Sequence, residues 1–242
     1  PEQHKAWVEQ VMQRYNIPPM PEEADGKSGH GISGDQIGWQ HAIARASLEE
    51  GFKHSNCKVM VNALGTPPAD IMAECKAKGI LVGALAGRLK HALAHKAGGV
   101  DFIIAQGHEA GGHTGDVTTM VLVPQVVDAV APLPVLAAGG IGSGRQVAAA
   151  MALGAQGVWC GSIWLTSPES EVAPLQKSRL IDASSEDTVR TRMLSGKPAR
   201  MLKSKWTEAW NEPDCPGFLP MPLQGMLVME ANHRIDRAQD KE

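Results

Sequence analysis

Five short apolar runs, each followed by a stretch of helical character, set the strongest limit on what this chain can fold into. The runs are Lys58–Ala63, Ile80–Ala86, Val100–Ala105, Leu133–Ala138 and Gly157–Cys160. The segments between them predict helices over 68–78, 89–97, 121–130 and 144–153, with another beginning near Pro168. Pro68 sits at the first turn of one such helix and Gly79 just past its end, as helix termini require. Strands alternating with helices imply parallel β/α units. Strands covered on both faces read as continuous apolar runs, and these do. The units repeat every 20 to 33 residues or so, which suits a (β/α)8 TIM barrel. A doubly wound open sheet is the competing α/β architecture. With about five strands legible and Pro1 in place of a methionine, the expectation is a barrel shortened at its N-terminus.

The flanks carry no strand signal. Residues 2–14 have a helical pattern with Trp7, Val8, Val11 and Met12 apolar, stopped by Ile17-Pro-Pro-Met-Pro21. Residues 22–34 read as a loop, 38–51 as an Ala-rich helix, and 190–242 as helix and loop. The expected division is a helical and loop segment over 1–56, a β/α barrel core over 57–190 and a helical and loop extension over 191–242. At 242 residues and 43% hydrophobic content a packed core is expected. A net charge of −3 with scattered Lys and Arg leaves no footprint for nucleic acid. No apolar run approaches the roughly 18 residues that cross a bilayer, and no signal peptide is visible. Cys57, Cys75, Cys160 and Cys215 have no metal-binding or disulfide spacing, so reduced thiols in the cytoplasm are the plain reading. No metal site is expected.

The chemistry concentrates where apolar runs end in glycine. Val100–Ala105 leads into Gln106-Gly-His-Glu-Ala-Gly-Gly-His-Thr-Gly115. The next run ends in Gly139-Gly-Ile-Gly142, and the last in Gly161-Ser162. Glycine lets backbone approach a ligand and adopt positive φ. The helix opening near Ser143-Gly144-Arg145 has free N–H groups that can bind phosphate. Gly139, Gly140, Gly161 and Ser162 are therefore phosphate candidates, and tight βα turns are the alternative. Gly139-Gly-Ile-Gly-Ser-Gly144 lacks the spacing of a dinucleotide fingerprint. His113, flanked by Gly111, Gly112 and Gly115, is the catalytic candidate, able to take and return a proton near neutral pH. A histidine bonding a loop carbonyl is the other reading. The Gln106 amide donates and accepts, which suits the polar edge of a heterocycle or an ordinary core edge. Glu109 is expected to orient the loop through backbone N–H groups or to meet a neighbouring subunit, and His108 to face solvent. Asn62 stands at a comparable strand end. Thr118 and Thr119 are expected to cap the next helix. There is no nucleophile elbow and no HExxH.

Gln106-Gly-His-Glu-Ala-Gly-Gly-His113, Ala137-Ala-Gly-Gly-Ile141 and Gly161-Ser162 resemble the nitronate monooxygenase family, formerly 2-nitropropane dioxygenase, which has flavin-dependent enoyl-acyl-carrier-protein reductases as relatives. The likeness runs over about residues 57–205. It implies a TIM barrel that binds FMN non-covalently. On that resemblance Gln106 and Gly111 meet the flavin, and Gly112 beside them counts among the cofactor-binding residues. Gly140 holds its phosphate, the stretch Trp159-Cys-Gly161-Ser162 completes the phosphate cup, Gly139 stands beside it as a cofactor-binding residue, and His113 is the active-site histidine. Trp159 and Ser162 depart from a common Gln-x-Gly-Thr pattern. Thr188–Leu202, Trp206-Thr-Glu-Ala-Trp210 and Leu64–Asp70 resemble an actinobacterial-type branch, some members of which act on CoA thioesters in steroid breakdown. Lys197, Arg200 and Lys203 would then meet a CoA phosphate. The implied activity is FMN-dependent oxidation of alkyl nitronates or nitroalkanes with O2. A flavin-dependent reductase or dehydrogenase of an enoyl or CoA thioester is the alternative. A flavin-free phosphate-binding isomerase or lyase is a second, and a non-catalytic shortened barrel a third. The expected partner is a small-molecule substrate, with no nucleic acid or membrane, and a homodimer is the candidate assembly.

Overall fold

The computed structural model describes residues 2–20 and 41–238. The loop expected over 22–34 and the first residues of the helix expected from 38 lie outside them. In chain order the helices are α1 (Glu2–Arg14), α2 (His41–Phe52), α3 (Ala69–Ala77), α4 (Leu89–Ala97), α5 (Thr119–Val130), α6 (Gly144–Ala152), α7 (Pro174–Asp182), α8 (Lys205–Ala209) and α9 (Leu223–Ala238). The strands of three residues or more are β1 (Val59–Asn62), β2 (Leu81–Ala86), β3 (Phe102–Gln106), β4 (Val135–Ala138), β5 (Gly157–Trp159), β6 (Thr188–Thr191) and β7 (Ala199–Leu202). The chain divides into two compact units, Arg45–Ser167 and Pro1–Ala44 with Pro168–Glu242.

In the Arg45–Ser167 unit β1 to β5 form one sheet in sequential order, every neighbouring pair parallel. A doubly wound sheet reverses its strand order at a switch point. This one does not, and it is of the TIM-barrel type. Residues paired across parallel strands point to the same face, so each register row has a side. Ala84, Ile103 and Val135, and above them Ala105, Ala137 and Val158, face the helices, packing with Ala92, Leu122, Val123, Val126, Val130 and Ala150. Met60 and Val82 face the same way, against Ile71, Cys75, Leu48 and Phe52 of α3 and α2. The opposite face carries Val61, Leu85, Phe102, Ile104, Leu136 and Ala138. The Phe102 ring lies over Gly83, occupying the space a side chain there would need. Helices on one face and an apolar lining on the other are what a barrel wall requires.

Element ends moved by small amounts for readable reasons. β3 begins at Phe102 rather than Val100 because the Asp101 carboxylate is turned back to accept from Val82 N at 2.7 Å. Leu81 replaces Ile80 as the start of β2. The helix expected to begin near Pro168 begins later, as α7 with Pro174 at its first turn, after a 3-10 turn at Ser162–Trp164.

The other unit contains a feature absent from the sequence reading. Residues 188–202 form an antiparallel hairpin, with Val189 opposite Met201 and Arg190 opposite Arg200. Like charges facing each other oppose strand pairing, which hid this hairpin among segments read as helix and loop. The core is aromatic. Trp7 of α1 lies 4.8 Å from Trp210 and 6.3 Å from Trp206, centroid to centroid, and Phe218 stacks on Trp210 at 5.4 Å. Val11, Met12, Val228 and Ala231 fill the space between α1 and α9.

Candidate active site

The β3 exit is a tightly wound platform. Gly107 N donates to Ala138 O at 2.9 Å, continuing the sheet by one bond. The chain then closes on itself: Thr114 Oγ1 donates to Gly107 O at 2.8 Å, and His108 N to Val117 O at 2.8 Å. Glu109 reaches forward, its Oε2 accepting from Thr119 N at 2.8 Å and lying 2.8 Å from the Thr119 hydroxyl. Glu109 thus does orient the loop through a backbone N–H, and it supplies the cap of α5. The caps expected from Thr118 and Thr119 are not what holds that end, since Thr118 makes no side-chain cap bond. His108 is half-buried rather than solvent-facing.

Backbone packs on backbone around this platform. A Cβ at Gly115 would lie 2.5 Å from Gly87 O, at the exit of β2. Arg88 and Asp116 form an ion pair beside this contact. Gly139 has φ 109°, and a Cβ there would lie 2.9 Å from Thr119 Oγ1 and 3.1 Å from Gly107 O. Only glycine fits both the angle and the space.

Three exits meet within this unit. A Cβ at Gly111 would sit 2.6 Å from Ser162 Oγ, and one at Gly140 would sit 3.0 Å from Glu109 Cβ. The structure therefore brings the turns after β3, β4 and β5 together at one end of the sheet. Gly112, at φ 74°, and His113 form a short extended, exposed segment of the β3 exit. Gly161 is exposed, with open space where a side chain would project. Gln106, Ala138 and Trp159 form one register row. Ala138 belongs to the lining opposite the helices, so Gln106 and Trp159 share that face, with only a methyl group between them. Trp159 is 40% exposed there.

Asn62 is not part of the rim. Its amide donates to Gly65 O at 3.0 Å, and it is in register with Ala84 on the helix-facing side. Gln146 was missed. Its Nε2 donates to Gly140 O at 2.6 Å, and its Oε1 accepts from Gly142 N at 2.9 Å and Ser143 Oγ at 3.0 Å. The signal was present as Ser143-Gly-Arg-Gln146, the spacing of a capping box. With the Ser143 hydroxyl drawn to Gln146, the first turn of α6 has no side-chain cap, and its leading N–H groups are left for another acceptor. Among the described residues no cluster of His, Cys, Asp and Glu is placed to hold a metal ion.

This is an α/β chain of TIM-barrel type whose glycine turns converge beyond the C-terminal strand ends, the face at which barrels of this class carry their sites. The profile of the nitronate monooxygenase family matches residues 30–235, and the chain belongs to that family. A Mycobacterium tuberculosis protein bearing a provisional monooxygenase name is 50% identical over 98% of this chain and 62% of its own length. A Bacillus subtilis protein named "Probable nitronate monooxygenase" is 40% identical over 78% of this chain and 56% of its own. Among solved structures, nitroalkane oxidase from Streptomyces ansochromogenes superposes with a TM-score of 0.78 at 27% identity, covering 99% of this chain and 67% of that one. FabK from Thermotoga maritima superposes at 0.67 with 34% identity over 81% and 60%. The chain spans 62% of the length of the M. tuberculosis relative.

Proposed function

We propose that this chain carries the flavin-binding rim and catalytic histidine of an FMN-dependent oxidoreductase that oxidises alkyl nitronates or nitroalkanes with O2. The observation that carries the reading is the junction of Gly111 with Ser162, 2.6 Å from Cβ position to hydroxyl, beside the positive-φ pair Gly139 and Gly140. Backbone this bare, next to a helix start without a side-chain cap, fits a phosphate and a flat ring. Gly139, Gly140, Gly161 and Ser162 would hold the phosphate; Gln106, Gly111 and Gly112 would meet the ring. FMN supplies the two-electron redox chemistry when bound. His113 takes the proton from the acidic carbon of a neutral nitroalkane, or holds the anionic nitronate by its charge. Gln146 and Glu109 keep the two turns fixed while this happens.

Four cysteines without disulfides are consistent with a cytoplasmic protein. Among the described residues no helix is long and apolar enough to cross a membrane. Resemblance to FabK supports a second reading, an enoyl or thioester substrate with NAD(P)H.

The test is reconstitution with FMN, followed by visible spectra and by oxygen uptake with both neutral 2-nitropropane and propane-2-nitronate. The proposal expects a bound-flavin spectrum, anaerobic bleaching by the nitronate, and a His113→Ala protein that keeps the flavin and loses turnover by roughly 100-fold or more. A variant that binds FMN and turns over normally removes His113 from the mechanism. NAD(P)H-linked turnover of an enoyl thioester without nitronate oxidation favours the second reading.

A further inference from the structure

A cavity of about 500 Å³ lies wholly within the unit formed by residues 1–44 and 168–242. It does not involve the glycine rim and does not rest on the flavin reading. Its size falls among small-molecule sites, which occupy about 300–1,000 Å³. Its walls come from the C-terminal end of α1 and the turn after it, the first turn of α7, the start of α8 and the end of α9.

The lining is divided by chemistry. Met12, Ile17, Leu175, Trp206 and Ile235 supply the apolar part of the lining. Arg14, Arg179 and Lys205 supply positive charge, and Asp236 negative. These charges do not weigh equally. Arg14 is neutralised by Glu212 and Asp214. Asp236 accepts from Gln176 Nε2 at 3.3 Å. Arg179 gives one N–H to the Lys203 carbonyl at 2.8 Å. A guanidinium has five such donors in a plane suited to a carboxylate. The first turn of α7, with no side-chain cap, adds the positive end of a nine-residue helix. Lys205 stands 5.9 Å from the Tyr15 ring, at the same wall.

We propose that this cavity is a binding site for a small amphipathic carboxylate, an aromatic or medium-chain acid, with its carboxylate on Arg179 and its hydrocarbon against Trp206 and Leu175. A free phosphate would leave the apolar wall unused, and a neutral hydrocarbon would leave the guanidinium without an anion.

The test uses the full 242-residue chain and 1-naphthoate as probe, with binding followed by calorimetry and by amide chemical shifts. The expected result is saturable one-to-one binding with shifts confined to α1, α7, α8 and α9. Loss of charge in 1-naphthamide should weaken binding about tenfold or more, as should Arg179→Gln. Leu175→Trp fills the cavity and should abolish binding while leaving the circular dichroism spectrum unchanged. This second variant keeps the test decisive where the Arg179 change disturbs the Lys203 contact. A flat isotherm to millimolar acid, equal binding of acid and amide, or binding unaffected by Leu175→Trp would overturn the proposal. Tighter binding of 1-naphthylmethylamine would do so too, since Asp236 would then set the charge preference.

Discussion

Arg234 shows what a single side chain can hold together. It is 4% exposed, on α9, and its guanidinium donates to Pro18 O at 2.8 Å, Ile17 O at 2.9 Å and Glu9 Oε2 at 2.6 Å. Three N–H groups thus pin α1, and the turn that ends it, to α9. Removing them strands the buried Ile17 carbonyl, a loss of about 1–3 kcal/mol, and unties the part-buried Pro18 carbonyl and the Glu9 carboxylate as well. Arg234→Met is therefore expected to cost about 2–4 kcal/mol in urea unfolding followed by tryptophan fluorescence. The Glu9 carboxylate is half exposed, so Glu9→Gln should cost less than about 1 kcal/mol near neutrality. It carries a distinct pH signature. The hydrogen bond from Arg234 holds the Glu9 carboxyl below the ordinary carboxylate range, against the opposing effect of burial. The folded protein therefore binds this proton less readily than the unfolded chain. The pair's contribution is present above the unfolded pKa and disappears as pH falls through the lower folded value. Urea midpoints measured downward from pH 7 should show a shallower acid limb for Glu9→Gln than for the parent. Parallel limbs would mean that the pair adds nothing.

Glu109 works on a larger unit, the loop and helix together. Its carboxylate caps α5 ten residues ahead, at Thr119, while its Cβ backs the Gly140 turn. Glu109→Ala should cost about 1 kcal/mol, as loss of an N-cap does, and should speed amide exchange from Gly107 to Thr119. Exchange in β2 and in α4 should stay as it was. Unchanged exchange in the loop would show that the Thr114 and His108 bonds suffice without Glu109. At this scale the sequence was legible where pattern is local. The strands β1 to β5 and the helices between them follow from apolar runs and glycine punctuation, and the rim residues from glycines beside His113. What was hidden depends on distant partners. The β6–β7 hairpin places Arg190 opposite Arg200 against strand preference, and neither short strand has a strong apolar alternation. Gly87 has no local mark of its role, which comes from Gly115 packing on its carbonyl. His95 has no local sequence signal, yet it is 2% exposed, with Nε2 3.0 Å from Leu85 O and Nδ1 2.9 Å from the Thr66 hydroxyl. A carbonyl can only accept, so Nε2 carries the hydrogen. That bond ties α4 to β2 beneath the rim.

For the molecule as a whole, the sequential order of the sheet has a consequence. β1 is paired only with β2, and β5 only with β4, among the described residues. An unpaired edge has a row of backbone donors and acceptors that another strand can satisfy, and natural proteins blunt such edges with charge. β1, Val-Met-Val-Asn, has no charge at all, and its Val59 is 46% exposed. Apolar side chains beside unpaired backbone favour pairing between copies, because association buries both. The 242-residue chain is therefore expected to self-associate with rising concentration in sedimentation velocity. A lysine on β1 opposes this twice, by charge repulsion between copies and by the loss of apolar contact. Val59→Lys should shift the distribution toward monomer without lowering the thermal midpoint, since an exposed edge position contributes little to the core. A parent chain that sediments as monomer at every concentration would show that its edges are already protected. A lysine variant that associates as strongly as the parent would place the contact elsewhere, with the β5 edge and its exposed Trp159 the next site to charge.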